Sequence, residues 1–178
     1  MDYFELYGLP ESFLPDEQLI KRKYYALSRE FHPDFHATAS SGRQEEVLEL
    51  STRNTNAYRT LSHFDRRMQY ILQRHGLLEE GQNKNEIPPD FLMEMMEINE
   101  QIMELEFNPN PELLEQLRLQ SEAILAGLEN DVRPNLERYP EAPAEEQEKI
   151  RQLARSYYLK KKYLLRIRES LNKFASRS

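Results

Sequence analysis

Cysteine is absent from the 178 residues, which excludes disulfides, thiolate-held metals and cysteine catalysis together while leaving the redox compartment open. Glycine is scarce, at 5 residues, and none belongs to a Gly-rich phosphate loop. No apolar run approaches the length of a membrane span, and the alternation of a half-buried strand is missing. The chain opens Met1-Asp2-Tyr3 and enters folded sequence at once, without a basic apolar leader or an Arg- and Ser-rich one. A soluble cytoplasmic protein is expected. The net charge of −7, with 31% charged residues, argues against nonspecific affinity for nucleic acid or an anionic membrane.

What remains is helical periodicity, so the expected class is all-α. With 39% hydrophobic residues the chain can build one or two small domains, and two are expected. Asp2 to Leu9 reads as a short aromatic helix in which Tyr3, Phe4 and Leu6 cap a core and Gly8 ends the helix. From Asp16, a good N-cap, Ile20, Tyr24, Leu27 and Phe31 recur on one helical face. Lys21, Arg22, Tyr25 and Arg29 lie off that face. A solvated surface is the ordinary explanation of such a basic run.

The helix is then stopped by His32-Pro33-Asp34. Proline fixes its own φ and pushes the preceding residue out of the helical region, so His32 is expected to be extended. A stiff corner of this kind presents an imidazole and a carboxylate at little entropic cost, which suits recognition of a basic partner surface. His32 and His36 have a spacing that two metal ligands could use on a helix, but Pro33 interrupts that helix and no further ligand is near, so no metal is expected. No hydrolase is expected either: Ser28, Ser40 and Ser41 carry no nucleophile turn. A second helix follows from about Arg43, with Val47, Leu50, Ala57 and Leu61 inward, ending Asn56-Ala57-Tyr58-Arg59-Thr60-Leu61. Arg66 to Leu72 begins a last helix that Gly76 closes.

This order of elements, an aromatic helix, a basic helix, His-Pro-Asp, a helix ending Asn-Ala-Tyr-x-x-Leu and an Arg-rich helix, resembles the J-domain of DnaJ-type co-chaperones over residues 1–75. The resemblance implies that His32, Pro33 and Asp34, with the basic face Lys21, Arg22, Tyr25 and Arg29, engage a DnaK-type chaperone, the basic face steering toward an acidic surface. Two positions depart from the pattern: Phe35 stands where a base is usual and Phe64 where a proline is common.

Residues 76–89 are polar, glycine-containing and doubly proline-stiffened at Pro88-Pro89, and read as a linker, although Leu77, Leu78 and Ile87 are apolar enough to dock on a domain. Residues 90–176 then read as a three-helix bundle. Asp90 is expected to cap its first helix, on which Phe91, Met95, Ile98, Ile102 and Leu105 follow a strict 4-3-4-3 spacing. Leu92, Met96 and Met103 flank this seam, whereas Met93 falls on the far side among Glu97, Glu100 and Glu104. The six acids between Asp90 and Glu106 are unaccompanied by any base. A broad core stripe plus one stray surface methionine would explain this; so would an adaptable acidic binding patch. The second helix is expected from Glu112 to about Val132, with Leu113, Leu117, Ile124 and Leu128 buried and Pro134 kinking or stopping it. The last carries Ile150, Leu153, Tyr157, Leu164, Ile167, Leu171 and Phe174 inward. Its bases, among them Lys149, Arg151, Arg155, Lys160, Lys161, Lys162, Arg166 and Arg168, are expected to pair with the acidic first helix rather than to bind nucleic acid.

A J-module followed by a bundle opening Pro-x-Asp-Phe-Leu-Met-Glu-Met-Met-Glu-x-x-Glu resembles the HscB-type co-chaperones of iron–sulfur cluster assembly. That resemblance covers nearly the whole chain. It implies a protein without catalytic residues or cofactors, whose J-module stimulates ATP hydrolysis by a specialised, HscA-like chaperone and whose bundle delivers an IscU-type scaffold protein. The matching scaffold-binding positions are Leu92, Met93, Met96, Glu97, Glu100 and Glu104, with Tyr158 where an aromatic is used on the last helix; Met96 stands where leucine is frequent. The alternative is a general J-protein adaptor for unfolded clients, which would call for a broad apolar groove or Gly- and Cys-rich regions.

Overall fold

A computed structural model describes residues 1–78 and 87–175, and all regular structure among them is helical. The central part of the expected linker lies outside the described residues, as does the last residue of the expected bundle. Helices α1 (Tyr3–Tyr7), α2 (Glu17–Glu30), α3 (Ser41–Leu61) and α4 (Phe64–Arg74) form the first module; α5 (Pro89–Phe107), α6 (Pro111–Arg138) and α7 (Ala144–Ala175) form the second.

Capping chemistry sets the limits of the first helices. Asp2 accepts from the N–H groups of Phe4 and Glu5 while Glu5 reaches back to the Asp2 N–H, a capping box, and Gly8 closes α1 at φ 61°. Asp16 caps α2 as expected, accepting from Gln18 and Leu19. Within α1 it is Phe4 and Tyr7 that are buried, with Tyr3 and Leu6 at the margin. Tyr7 goes inward because its hydroxyl finds a buried partner, donating to Asn54 Oδ1 at 3.0 Å. A second polar residue, Arg67, is enclosed just as fully: its Nε donates to the Phe13 carbonyl at 2.9 Å and a terminal nitrogen to that of Leu61. These bonds answer the cost of burying a charge.

In the bundle the α5 seam is buried at each expected position, Phe91, Met95, Ile98, Ile102 and Leu105, against Leu117 of α6 and Leu164, Ile167 and Leu171 of α7. Three expectations are corrected. Asp90 does not cap α5: Pro88 holds that position and Pro89 is the first helical residue, which places Asp90 in the first turn, where its charge still favours the helix N-terminus. Helix α6 runs through Pro134 to Arg138. The exposed ring of Pro134 faces solvent, and Val132 and Leu136, buried on either side, hold the helix in place. On α7 the buried line passes through Ala154, whose small side chain lets the helix approach the first module, and leaves Leu153 exposed.

The two modules share one core. Phe13, Met68, Ile71 and Leu72 of the first pack in the same cluster as Val132, Leu136, Tyr139, Ile150 and Tyr157 of the second. The Phe13 ring meets Tyr139 edge-on at 4.8 Å, and Phe64, the residue standing in place of a proline, meets Tyr157 at 6.3 Å. Leu77 and Leu78 pack on this cluster and Ile87 on the bundle core. Polar contacts rim the junction. Tyr139 donates to Glu11 at 2.5 Å, Lys161 pairs with Asp65 at 2.7 Å, and Arg155 Nε donates to the Leu77 carbonyl at 2.5 Å.

Candidate interaction sites

The first site is the loop between α2 and α3. Helix α2 ends at Glu30, and His32 is extended at φ −71°, ψ 126°. Pro33 opens a short 3-10 turn over Pro33–His36, which His32 itself caps: its Nδ1 accepts from the Asp34 N–H at 3.3 Å, and its carbonyl accepts from the Phe35 N–H at 3.1 Å. His36 Nε2 lies 2.8 Å from the Glu30 carbonyl and donates to it, so the two imidazoles serve different local partners. The outcome is a braced corner with the Asp34 carboxylate projecting into solvent, 3.7 Å from His32 Nδ1. Lys21, Arg22, Tyr25 and Arg29 are all exposed on α2, and among the described residues none of these three cations is engaged in an ion pair. Phe35 is 74% exposed and turns its ring toward His32 at 5.8 Å.

The second site is the outer face of α5. Met93 is 62% and Met96 59% exposed, and Met103 is exposed as well. The reading in which Met96 and Met103 join a broad core stripe is therefore overturned. At about 100° per residue both stand well over a quarter turn from the seam centre, beyond the reach of α6 and α7. Leu92 is half-buried at the edge of this face, while Glu97, Glu100 and Glu104 are exposed along it.

The bases of α7 do not neutralise these carboxylates. Lys161 serves Asp65 and lies 3.9 Å from Glu129, and Arg151 pairs with Glu148 of its own helix at 2.6 Å. Lys160 lies over the Phe91 ring of α5, at 5.6 Å, and pairs with no α5 carboxylate among the described residues. Glu97, Glu100 and Glu104 carry no ion pair among the described residues. The face is apolar and flexible along one side, negative along the other, and suits a partner that is apolar with a basic rim.

Tyr158 is placed elsewhere. It packs half-buried against the core shared by the modules, where burial and the nearby Asp65 push its hydroxyl above the ordinary range. On α7 it lies about 160° around the axis from Lys160, which touches Phe91 of α5, so the helix turns it away from the methionine face. Phe107, which the spacing argument left out, ends α5 on that face with 80% exposure. Its signal was in the sequence: it follows Met96 and Met103 at helical spacing.

Comparison with known proteins supports one family for both modules. Residues 87–172 match the family model described as the HSCB C-terminal oligomerisation domain. Curated co-chaperone protein HscB homologs of Vibrio campbellii and Vibrio parahaemolyticus are 35% and 36% identical over 112 residues, 63% of this chain and 66% of each relative. The chain thus spans just under two thirds of the length of these curated relatives. Chaperone HscB from Vibrio cholerae has a similar solved structure, with a TM-score of 0.66, 26% identity and 99% of both chains covered. Human co-chaperone protein HscB is also similar, at a TM-score of 0.68 and 27% identity over 97% of this chain and 81% of that one. No helix among the described residues is long and apolar enough to cross a membrane.

Proposed function

Because the chain belongs to the HscB-type co-chaperone family, we propose that it works as a non-catalytic adaptor between two proteins. Its braced His32-Pro33-Asp34 loop and the basic face of α2 engage a DnaK-type, HscA-like chaperone and stimulate its ATPase. Its α5 face, with Leu92, Met93, Met96, Glu97, Glu100 and Glu104, holds an IscU-type iron–sulfur scaffold protein and delivers it as the client. The observation that carries this reading is the exposure of Met93 and Met96 beside unpaired carboxylates, on a helix whose other side is fully used by the bundle. A compact face of this kind favours one defined client over a range of unfolded ones.

The test is the Met93→Ala/Met96→Ala variant. Interface anchors cost about 1–4 kcal/mol each on truncation and ~1.4 kcal/mol is tenfold in affinity, so scaffold binding is expected to weaken by at least about tenfold. Thermal unfolding should be unchanged, since both side chains are already in water. Unaltered scaffold affinity in the folded variant would refute the reading.

A further inference from the structure

We propose that the partner's footprint on α5 does not stop at Glu104 but runs on to Phe107, and ends with an apolar side chain seated in a cavity at the far end of the bundle. The proposal rests on the adaptor reading above and extends it to a surface of this chain that the family resemblance does not assign.

Leu92, Met96, Met103 and Phe107 are spaced four, seven and four residues apart, which sets them in one line along the outer side of α5. That line is ~22 Å long at 1.5 Å per residue. Phe107 lies about 160° around the axis from the buried Leu105, so the helix cannot turn its ring into the bundle. Its 80% exposure is the largest among the exposed large apolar residues, and a full aromatic ring in water at a helix end serves no contact within the described chain. Glu97, Glu100 and Glu104 accompany the line as free carboxylates, so one occupant must be apolar along its middle and basic along one edge.

Where the line ends, the chain turns beside a half-open cavity of about 470 Å³ lined by Leu105, Phe107, Pro109, Pro111, Leu114 and Phe174, with Glu106 also on its lining. The side of it formed by the turn is set before binding. Two prolines stiffen the turn, and the Asn110 side chain is already committed, accepting from the Glu112 and Leu113 N–H groups at 3.0 and 3.2 Å to cap α6. A cavity of this size admits a large apolar side chain without rearrangement. Glu106 selects a Lys or Arg beside it. The continuity of cavity, Phe107 and methionine line assigns all three to the same basic-rimmed partner, the scaffold.

The experiment uses the full chain and the purified IscU-type scaffold as probe, with titration calorimetry on the wild type, Phe107→Ala, Phe107→Glu and Met93→Ala/Met96→Ala, and thermal unfolding of each. Phe107→Ala is expected to weaken binding about tenfold and Phe107→Glu more, with melting temperatures unchanged. Wild-type affinity in both Phe107 variants, alongside a loss in the methionine variant, would overturn the extended footprint and leave the adaptor reading standing. Wild-type affinity in all three would overturn the reading itself. Should the Phe107 variants alter only self-association in sedimentation, the face belongs to a second copy and the proposal fails.

Discussion

The hydroxyl of Tyr7 donates to Asn54 Oδ1 at 3.0 Å inside the first module, and the amide of Asn54 donates in turn to the Tyr24 carbonyl at 3.1 Å and to Ser28 Oγ at 3.0 Å. One buried side chain thus joins α1, α2 and α3, and fixes the helix from which the His-Pro-Asp corner departs.

Asn54→Ala should therefore destabilise the protein well beyond a surface substitution. Each buried polar group left without a partner costs about 1–3 kcal/mol; the change removes the side-chain amide from the Tyr24 carbonyl and Ser28 Oγ, and leaves the Tyr7 hydroxyl only the carbonyl of residue 54, at 3.2 Å. Urea denaturation is expected to show a lower midpoint with an unchanged slope. A midpoint equal to wild type would mean that the network contributes nothing net.

Stability should also fall at high pH, through the buried phenols. Burial and then the hydrogen bond to Glu11 push the Tyr139 hydroxyl up to about 12, and burial likewise raises Tyr7 and Tyr157. Unfolded tyrosine ionises near about 10. Below that, both states keep the proton and nothing depends on pH. Between about 10 and 12 the unfolded chain releases protons that the folded chain retains, so the unfolding free energy declines. Denaturation curves at pH 9 and pH 11 should show this drop, and Tyr139→Phe should make it shallower; an identical drop in that variant would remove Tyr139 as a source.

A fragment of residues 1–76 keeps the Tyr7–Asn54 bond and the Arg67 contacts, but loses the Tyr139 ring against Phe13 and the Tyr157 ring against Phe64. It is expected to be helical by circular dichroism, to stimulate the chaperone's ATPase weakly without recruiting the scaffold, and to melt below the full chain. A random-coil spectrum would show that the first module does not fold without the second.

Patterns within one helix were legible from the residues alone. The α5 seam from Phe91 to Leu105 is buried position by position because helical period maps directly onto burial, and Asp16 and Gly8 end their helices through chemistry local to each cap. What escaped depends on distant partners. Nothing local marks Asn54 and Arg67 as buried, because Tyr7 lies 47 residues from the one and Phe13 54 from the other. Tyr139 and Glu11, 128 residues apart, meet at the junction. Pro134 stays helical because packing of Val132 and Leu136 outweighs a local breaker. Tyr158, placed by family pattern on the scaffold face, is turned by the pitch of α7 toward the first module.

If the His-Pro-Asp corner acts on a chaperone while α5 holds the client, Asp34→Asn separates the two ends. The substitution is nearly isosteric, and the Asp34 side chain is 86% exposed, with no partner beyond the nearby His32 among the described residues, so folding should be unaffected. The measurement is the ATPase rate of the DnaK-type partner with scaffold present, titrated with wild type or with Asp34→Asn. Wild type is expected to stimulate it, and the variant to bind the scaffold with equal affinity while giving no stimulation. A folded Asp34→Asn protein that stimulates the ATPase as well as wild type would contradict the claim.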